Sequence, residues 1–102
     1  MAWVRIISRR ALREFWERHP EAERRLRLWH QVVEAADWAS WEDVRRTFPS
    51  ADSVGRFTVF NVGGNNYRVI ARIEFRWRRV YIRHVLTHSE YDDEAWKRDP
   101  WF

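Results

Sequence analysis

Six consecutive residues near the end of the chain, Thr87-His88-Ser89-Glu90-Tyr91-Asp92, gather the side chains best able to move a proton. An imidazole exchanges protons near neutral pH, so His88 is the first candidate for general acid or base work. Tyr91 offers a hydroxyl, or a ring that stacks on a base, and Asp92 is placed to orient the histidine. Taken alone, a string of this kind is more often a capped turn before a short helix. Its neighbourhood gives it weight. Residues 56–88 hold seven Arg against one acid, Glu74, whereas residues 1–51 hold ten against eight and the tail 89–102 holds two bases against five acids. The 18 Arg to one Lys read as a codon preference, but concentration of positive charge in one segment is the footprint of a polyanion binder.

His84 and His88 are four apart, the spacing of two ligands on one face of a helix. His84, however, falls inside a predicted strand and is expected to point into a helix layer. The chain has no cysteine, so disulfides, thiolate metal sites and a cysteine nucleophile are excluded. With no third ligand in view, neither a metal nor another cofactor is expected.

The elements that must position these residues follow from periodicity. Residues Trp3 to Ile7 read as a short strand. Ser8 is a helix N-cap, followed by Ala11, Leu12, Phe15 and Trp16 at helical spacing. His19-Pro20 ends that helix and opens a second, striped by Ala22, Leu26, Trp29, Val32, Val33 and Ala36. Ser40 opens a short third helix with Glu42 and Asp43 in its first turn, ending before Pro49. Residues 49–56 read as loop. Three strands are predicted at 57–62, 67–75 and 79–87, with Gly63-Gly64-Asn65-Asn66 as the first turn and Trp77-Arg78 near the second. The fold class is α+β: a short N-terminal strand, then two to three helices packed on one face of a small antiparallel sheet. The expected extent is one domain over residues 1–102, with 93–102 a variable Trp-rich tail.

Side chains alternate faces along a strand. Closing the two turns puts Asn61 opposite Arg68, Phe60 opposite Val69, Arg72 opposite Arg83, and Arg68 near Thr87. Val69, Ala71, Ile73, Phe75, Val80, Ile82 and Leu86 then face the helices. The other face gathers Asn61, Arg68, Arg72, Arg83 and Thr87, with Ile70, Tyr81 and Val85 among them. Three arginines on one sheet face ask for an anion between them, and the planar guanidinium fork suits phosphate. The plainer alternative is that they fan into water or pair with acids.

Eight Trp, six Phe and three Tyr supply core area that 102 residues without disulfides require. Trp16 and Trp29 belong to the core, and Trp38 and Trp41 pack about a helix start. Trp77, Trp96 and Trp101 are less easily buried and are available to stack on bases or to meet a partner. No apolar run approaches the roughly 18–20 residues that span a bilayer, and no secretion signal is visible, so a cytoplasmic protein without membrane contact is expected.

Several ordered strings together resemble one family. Val59-Phe60-Asn61-Val62-Gly63-Gly64-Asn65, Tyr67-Arg68-Val69, Tyr81-Ile82-Arg83 and Thr87 to Asp92 are similar to the HigB toxins of the RelE/ParE superfamily, as are Ile6 to Leu12 and Phe48-Pro49-Ser50. The likeness runs from residue 4 to about residue 92. It implies a RelE-like fold and ribosome-dependent, metal-free cleavage of translated mRNA by 2′-hydroxyl attack. It implies a HigA-type helix-turn-helix antitoxin as partner, with DNA met only through the complex. Carried over residue by residue, the family's polar positions fall on Asn61, Arg68, Arg83, His88 and Tyr91; Arg72 comes from the sheet-face argument. His88, Arg68, Arg83 and Tyr91 are the expected catalytic residues, and Asn61, Arg72, Arg68 and Arg83 the expected RNA contacts. The alternatives are a gyrase inhibitor of the ParE branch and an RNA- or ribosome-binding module that does not cut.

Overall fold

A computed structural model describes residues 4–102; Trp3, at the start of the first expected strand, lies outside them. The chain runs β1 (Arg5–Ile7), α1 (Arg9–Arg18), a 3-10 turn (Pro20–Ala22), α2 (Glu23–Glu34) and α3 (Trp41–Thr47), then the strands β2 (Asp52–Val54), β3 (Phe57–Val62), β4 (Tyr67–Glu74) and β5 (Arg79–Thr87). It closes with α4 (His88–Asp92) and a second 3-10 turn (Ala95–Arg98).

The helices start and stop where local chemistry dictates. The Ser8 side chain accepts from the Arg10 N–H and caps α1. Pro20 occupies the first position of the turn that leads into α2. Ser40 is the N-cap of α3 by backbone geometry, but its side chain makes no capping bond; the Asp43 carboxylate instead takes the Ala39 N–H at 2.9 Å.

The five strands form one sheet in the order β1-β5-β4-β3-β2. β1 runs parallel to β5, so the sheet is mixed rather than antiparallel throughout. The expected loop at 49–56 contains β2, a three-residue edge strand paired with β3. It is too short to show an alternating pattern. Between β3 and β4 the turn places Gly63 and Gly64 at φ of +65° and +68°, a region open to glycine without strain.

Helices cover one face. Leu12, Phe15 and Trp16 of α1 and Leu26, Trp29 and Val33 of α2 are buried against Phe60, Val62, Val69, Ala71, Val80, Ile82 and Val85. Trp38 stacks over Phe60 at 6.1 Å and donates its indole N–H to Thr47 Oγ1. The opposite face is covered as well. Phe57, Val59 and Ile70 pack under Trp96, with Leu86, Tyr91, Trp101 and Phe102 around them. Trp96 is therefore core and Trp101 is half-buried, against expectation, while Trp77 stands out into solvent.

The pairing of β4 with β5 contains an irregularity with consequences for the site. Ile70 pairs with His84 but Ala71 pairs with Ile82, so Arg83 is an extra residue on β5. Two-residue periodicity inverts beyond such a bulge. Asn61 does face Arg68, and Phe60 faces Val69. Arg72, however, faces Tyr81 rather than Arg83, Arg68 faces Leu86, and Thr87 faces Tyr67. Val85 joins the helix-side core in place of Leu86. His84 turns away from the helices, to meet Asp99.

Candidate active site

Two groups of polar side chains occupy the sheet face that the helices leave free. The first is built where the β3–β4 turn meets the start of α4. The Thr87 hydroxyl accepts from the Glu90 N–H at 3.2 Å and the Glu90 carboxylate accepts from the Thr87 N–H at 2.9 Å, a complete capping box. The capped-turn reading of the Thr87–Asp92 string is thus correct, and it serves the site. It fixes the short helix that carries His88, Tyr91 and Asp92. The His88 N–H donates to Asn66 O at 3.0 Å, which ties this helix to the turn.

Arg68 is the hub. It is buried, with 6% of its surface exposed. Its Nη1 donates to the carbonyls of Asn65 and Tyr67, and its Nη2 donates to Asn65 Oδ1 at 2.6 Å. Nη2 also lies 3.1 Å from His88 Nδ1. A guanidinium has donors only, so Nδ1 is the acceptor and the ring proton sits on Nε2. That nitrogen faces Asp92 Oδ2 at 3.1 Å. His88 and Asp92 are both well exposed, so the dyad is open to a ligand. Arg68 also lies over the Tyr91 ring, 5.1 Å from its centroid. The indole of Trp96 stacks on the same ring at 5.3 Å and donates to Tyr91 O. The ring is thus engaged by Trp96 and Arg68 within the protein, and its hydroxyl is the group with proton chemistry to offer.

Asn65 is the member of this cluster that periodicity did not single out. It falls in the predicted turn, and its side chain is what fastens Arg68. A turn asparagine three positions before a strand arginine is the available signal. Asn61 sits beside Arg68 in the ladder but lines a separate groove with Arg25, Leu28 and Phe48.

The second group lies further along the ladder and holds the other two arginines. Arg83 grips Asp99 with both arms of its fork, Nε to Oδ2 at 2.9 Å and Nη2 to Oδ1 at 2.8 Å. His84 Nε2 lies 2.9 Å from the same Oδ2. The Trp101 ring sits 3.9 Å beneath the Arg83 guanidinium and 6.0 Å from that of Arg72. Arg72 also approaches Glu74 at 3.6 Å. Asp99 thus supplies one anion among these arginines from the chain itself. The hydrogen bonds from Arg83 hold the Asp99 carboxyl down, from 3.8 to about 2, against the opposing effect of its burial. Among the described residues no cluster of three or more metal-ligating side chains occurs. His84 and His88 belong to different groups.

No helix among the described residues is long and apolar enough to cross a membrane. Comparison with known proteins assigns this α+β architecture to a class: a family model for HigB_toxin, the RelE-like toxic component of a toxin–antitoxin system, matches residues 22–94. The chain is 34% identical over 92 residues to the "mRNA interferase HigB" of Escherichia coli O6:H1, covering 87% of this chain and 89% of that protein. It is equally similar to the "mRNA interferase toxin HigB" of Escherichia coli K12 and the "mRNA interferase HigB" of Shigella flexneri, covering 88% of each. The chain belongs to the HigB toxin family, and an antitoxin is its counterpart.

Proposed function

We propose that this protein is an mRNA interferase that cuts message during translation, by attack of a ribose 2′-hydroxyl on the adjacent phosphodiester and without a metal. The observation that carries the reading is the unbroken chain Asn65–Arg68–His88–Asp92, with the Tyr91 ring against Arg68. The names of the relatives supply the substrate class.

In the free protein the His88 Nδ1 lone pair is held by Arg68. A scissile phosphate is a stronger acceptor than a neutral imidazole and draws Nη2 to itself. Nδ1 is then free to take the proton of the 2′-hydroxyl. The O2′–P bond forms and the P–O5′ bond breaks, leaving a 2′,3′-cyclic phosphate and a 5′-hydroxyl. The departing O5′ takes a proton from the Tyr91 hydroxyl. Asp92 stabilises the imidazolium through Nε2–H, and Arg68, still anchored by Asn65, faces the charge that develops on the phosphorane. Arg72 and Arg83 hold flanking phosphates, and Asn61 meets the RNA at the sheet's edge. The ribosome presents the message, a HigA-type helix-turn-helix antitoxin neutralises the toxin, and DNA is met only through that complex. All of this takes place in the cytoplasm.

The test is to map 5′ ends on a defined message by primer extension, with purified protein added to a translating extract and to naked RNA. New ends on translated message only, absent with His88→Ala, are expected. Growth arrest without new ends points instead to gyrase or to blockade of the ribosome. Cuts in naked RNA make the ribosome dispensable.

A further inference from the structure

The family match ends at residue 94, and the segment that follows lies across the second arginine group. Residues 89–102 carry five acids against two bases, and they fold onto the most basic stretch of the chain. The fit is specific at one residue. Asp99 has only 4% of its side chain exposed, and four donors converge on its carboxylate. They are Arg83 Nε and Nη2 at 2.9 and 2.8 Å, His84 Nε2 at 2.9 Å and the Trp101 N–H at 2.9 Å. Three of the four come from the sheet. The same fork geometry serves a phosphate oxygen pair as well as a carboxylate.

The anchoring on either side is unequal. Trp96 is fixed in the core by Tyr91 and Phe57. Beyond it, Trp101 and Phe102 are half-buried: Trp101 lies against Arg83 and Tyr81, Phe102 against Phe57 and Trp96, and the Phe102 carbonyl is held at 3.3 Å by Arg56. Residues 99–102 thus follow a buried anchor at Trp96 and are themselves more open to solvent.

We propose that Arg83 and His84 form a seat for an RNA phosphodiester flanking the cut, and that Asp99 fills it in the free protein, so that RNA binds by lifting residues 99–102. The inference rests on the RNA-cleaving reading, but its test reads binding rather than cutting. The alternative is an ion pair that only staples the tail. The two differ in sign. Removing a staple weakens the protein and leaves RNA affinity where it was, whereas removing a competitor raises it.

The measurement is the affinity of a short 2′-O-methyl RNA, which lacks the nucleophile, for wild type and Asp99→Asn. Asp99→Asn should bind about tenfold more tightly, because the seat no longer has to be opened before the phosphate enters it. The gain should vanish in Asp99→Asn combined with Arg83→Gln. A second reading needs no variant and so survives misfolding of Asp99→Asn. Saturating the wild type with the same RNA should abolish the proton cross-peaks between the Trp101 and Tyr81 rings, whose centroids are 5.6 Å apart in the closed form. Equal affinities, no binding by either protein, or cross-peaks that persist in the RNA-bound wild type overturn the proposal. Each of these is independent of whether translated message is cut.

Discussion

Arg68 and His88 are twenty residues apart in the chain and 3.1 Å apart in space, with Nη2 of the arginine directed at Nδ1 of the histidine. The bond sets the imidazole tautomer, because the guanidinium cannot accept. It also makes the most basic residue of the site a support for its neighbours before any substrate arrives. Four bonds leave from its two terminal nitrogens, three of them to residues 65 and 67.

Arg68→Ala should therefore damage both activity and stability. Its removal takes the donor away from Asn65 Oδ1 and from the carbonyls of Asn65 and Tyr67, which water can reach on this exposed turn, at a cost of about 1 kcal/mol. Cleavage of translated message should fall by at least about 100-fold, since the proton acceptor and the phosphate contact are disturbed together. Arg68→Lys keeps the charge but cannot reproduce the fork, and it should restore little. Thermal unfolding of each variant beside 5′-end mapping separates the two losses; an Arg68→Ala protein that unfolds like the wild type and still cuts would remove Arg68 from the site.

Asp92→Asn isolates the charge behind His88. The amide oxygen can still accept from Nε2–H, and the side chain is exposed, so unfolding should be unchanged. The imidazolium formed during the reaction loses its counter-charge, and the cleavage rate should drop about tenfold. A rate equal to the wild type's would leave Asp92 as no more than a surface partner.

Much of this arrangement is legible in the sequence, and the exceptions have definite causes. The three meander strands, the α1 cap at Ser8 and the pairing of Asn61 with Arg68 follow from alternation and turn chemistry. The bulge at Arg83 does not, because no glycine or other local residue marks it. It alone explains why Arg72 and Arg83 are not opposite each other and why His84 leaves the helix layer. β2 is too short to alternate, and it pairs only because β3 offers an edge. The burial of Trp96 and the pairing of Asp99 are long-range events that no window of the tail contains. Their one trace is its acidity against the basic strands.

The capping box gives a prediction for a residue that touches no substrate. Thr87→Ala removes the acceptor of the Glu90 N–H and should lower stability by about 1 kcal/mol. Because α4 has only five residues, its cap governs how His88 and Tyr91 are presented. Cleavage should fall while Thr87→Ser, which keeps the hydroxyl, retains it. Equal activity of the two variants would show that the Asn66 carbonyl and Arg68 hold the helix without its cap.

Asp99 makes the stability of the fold depend on acid. Its carboxyl is held at about 2, below its ordinary 3.8, chiefly by the hydrogen bonds from Arg83. A carboxyl depressed on folding stabilises the folded state fully above its unfolded value and loses that contribution as pH falls towards its folded one. The wild type should thus lose up to about 2 kcal/mol between about pH 5 and pH 2 through this group. Protonating Asp99 leaves the Arg83 guanidinium on the sheet face without its anionic partner. Other carboxylates titrate in the same range, and the informative quantity is the difference between wild type and Asp99→Asn at each pH. Thermal melts should show the wild type the more stable by the full amount at neutral pH and the two proteins converging near pH 2. Curves that stay parallel would mean that the bonds to Asp99 act equally in both protonation states, and that its charge does not hold the tail.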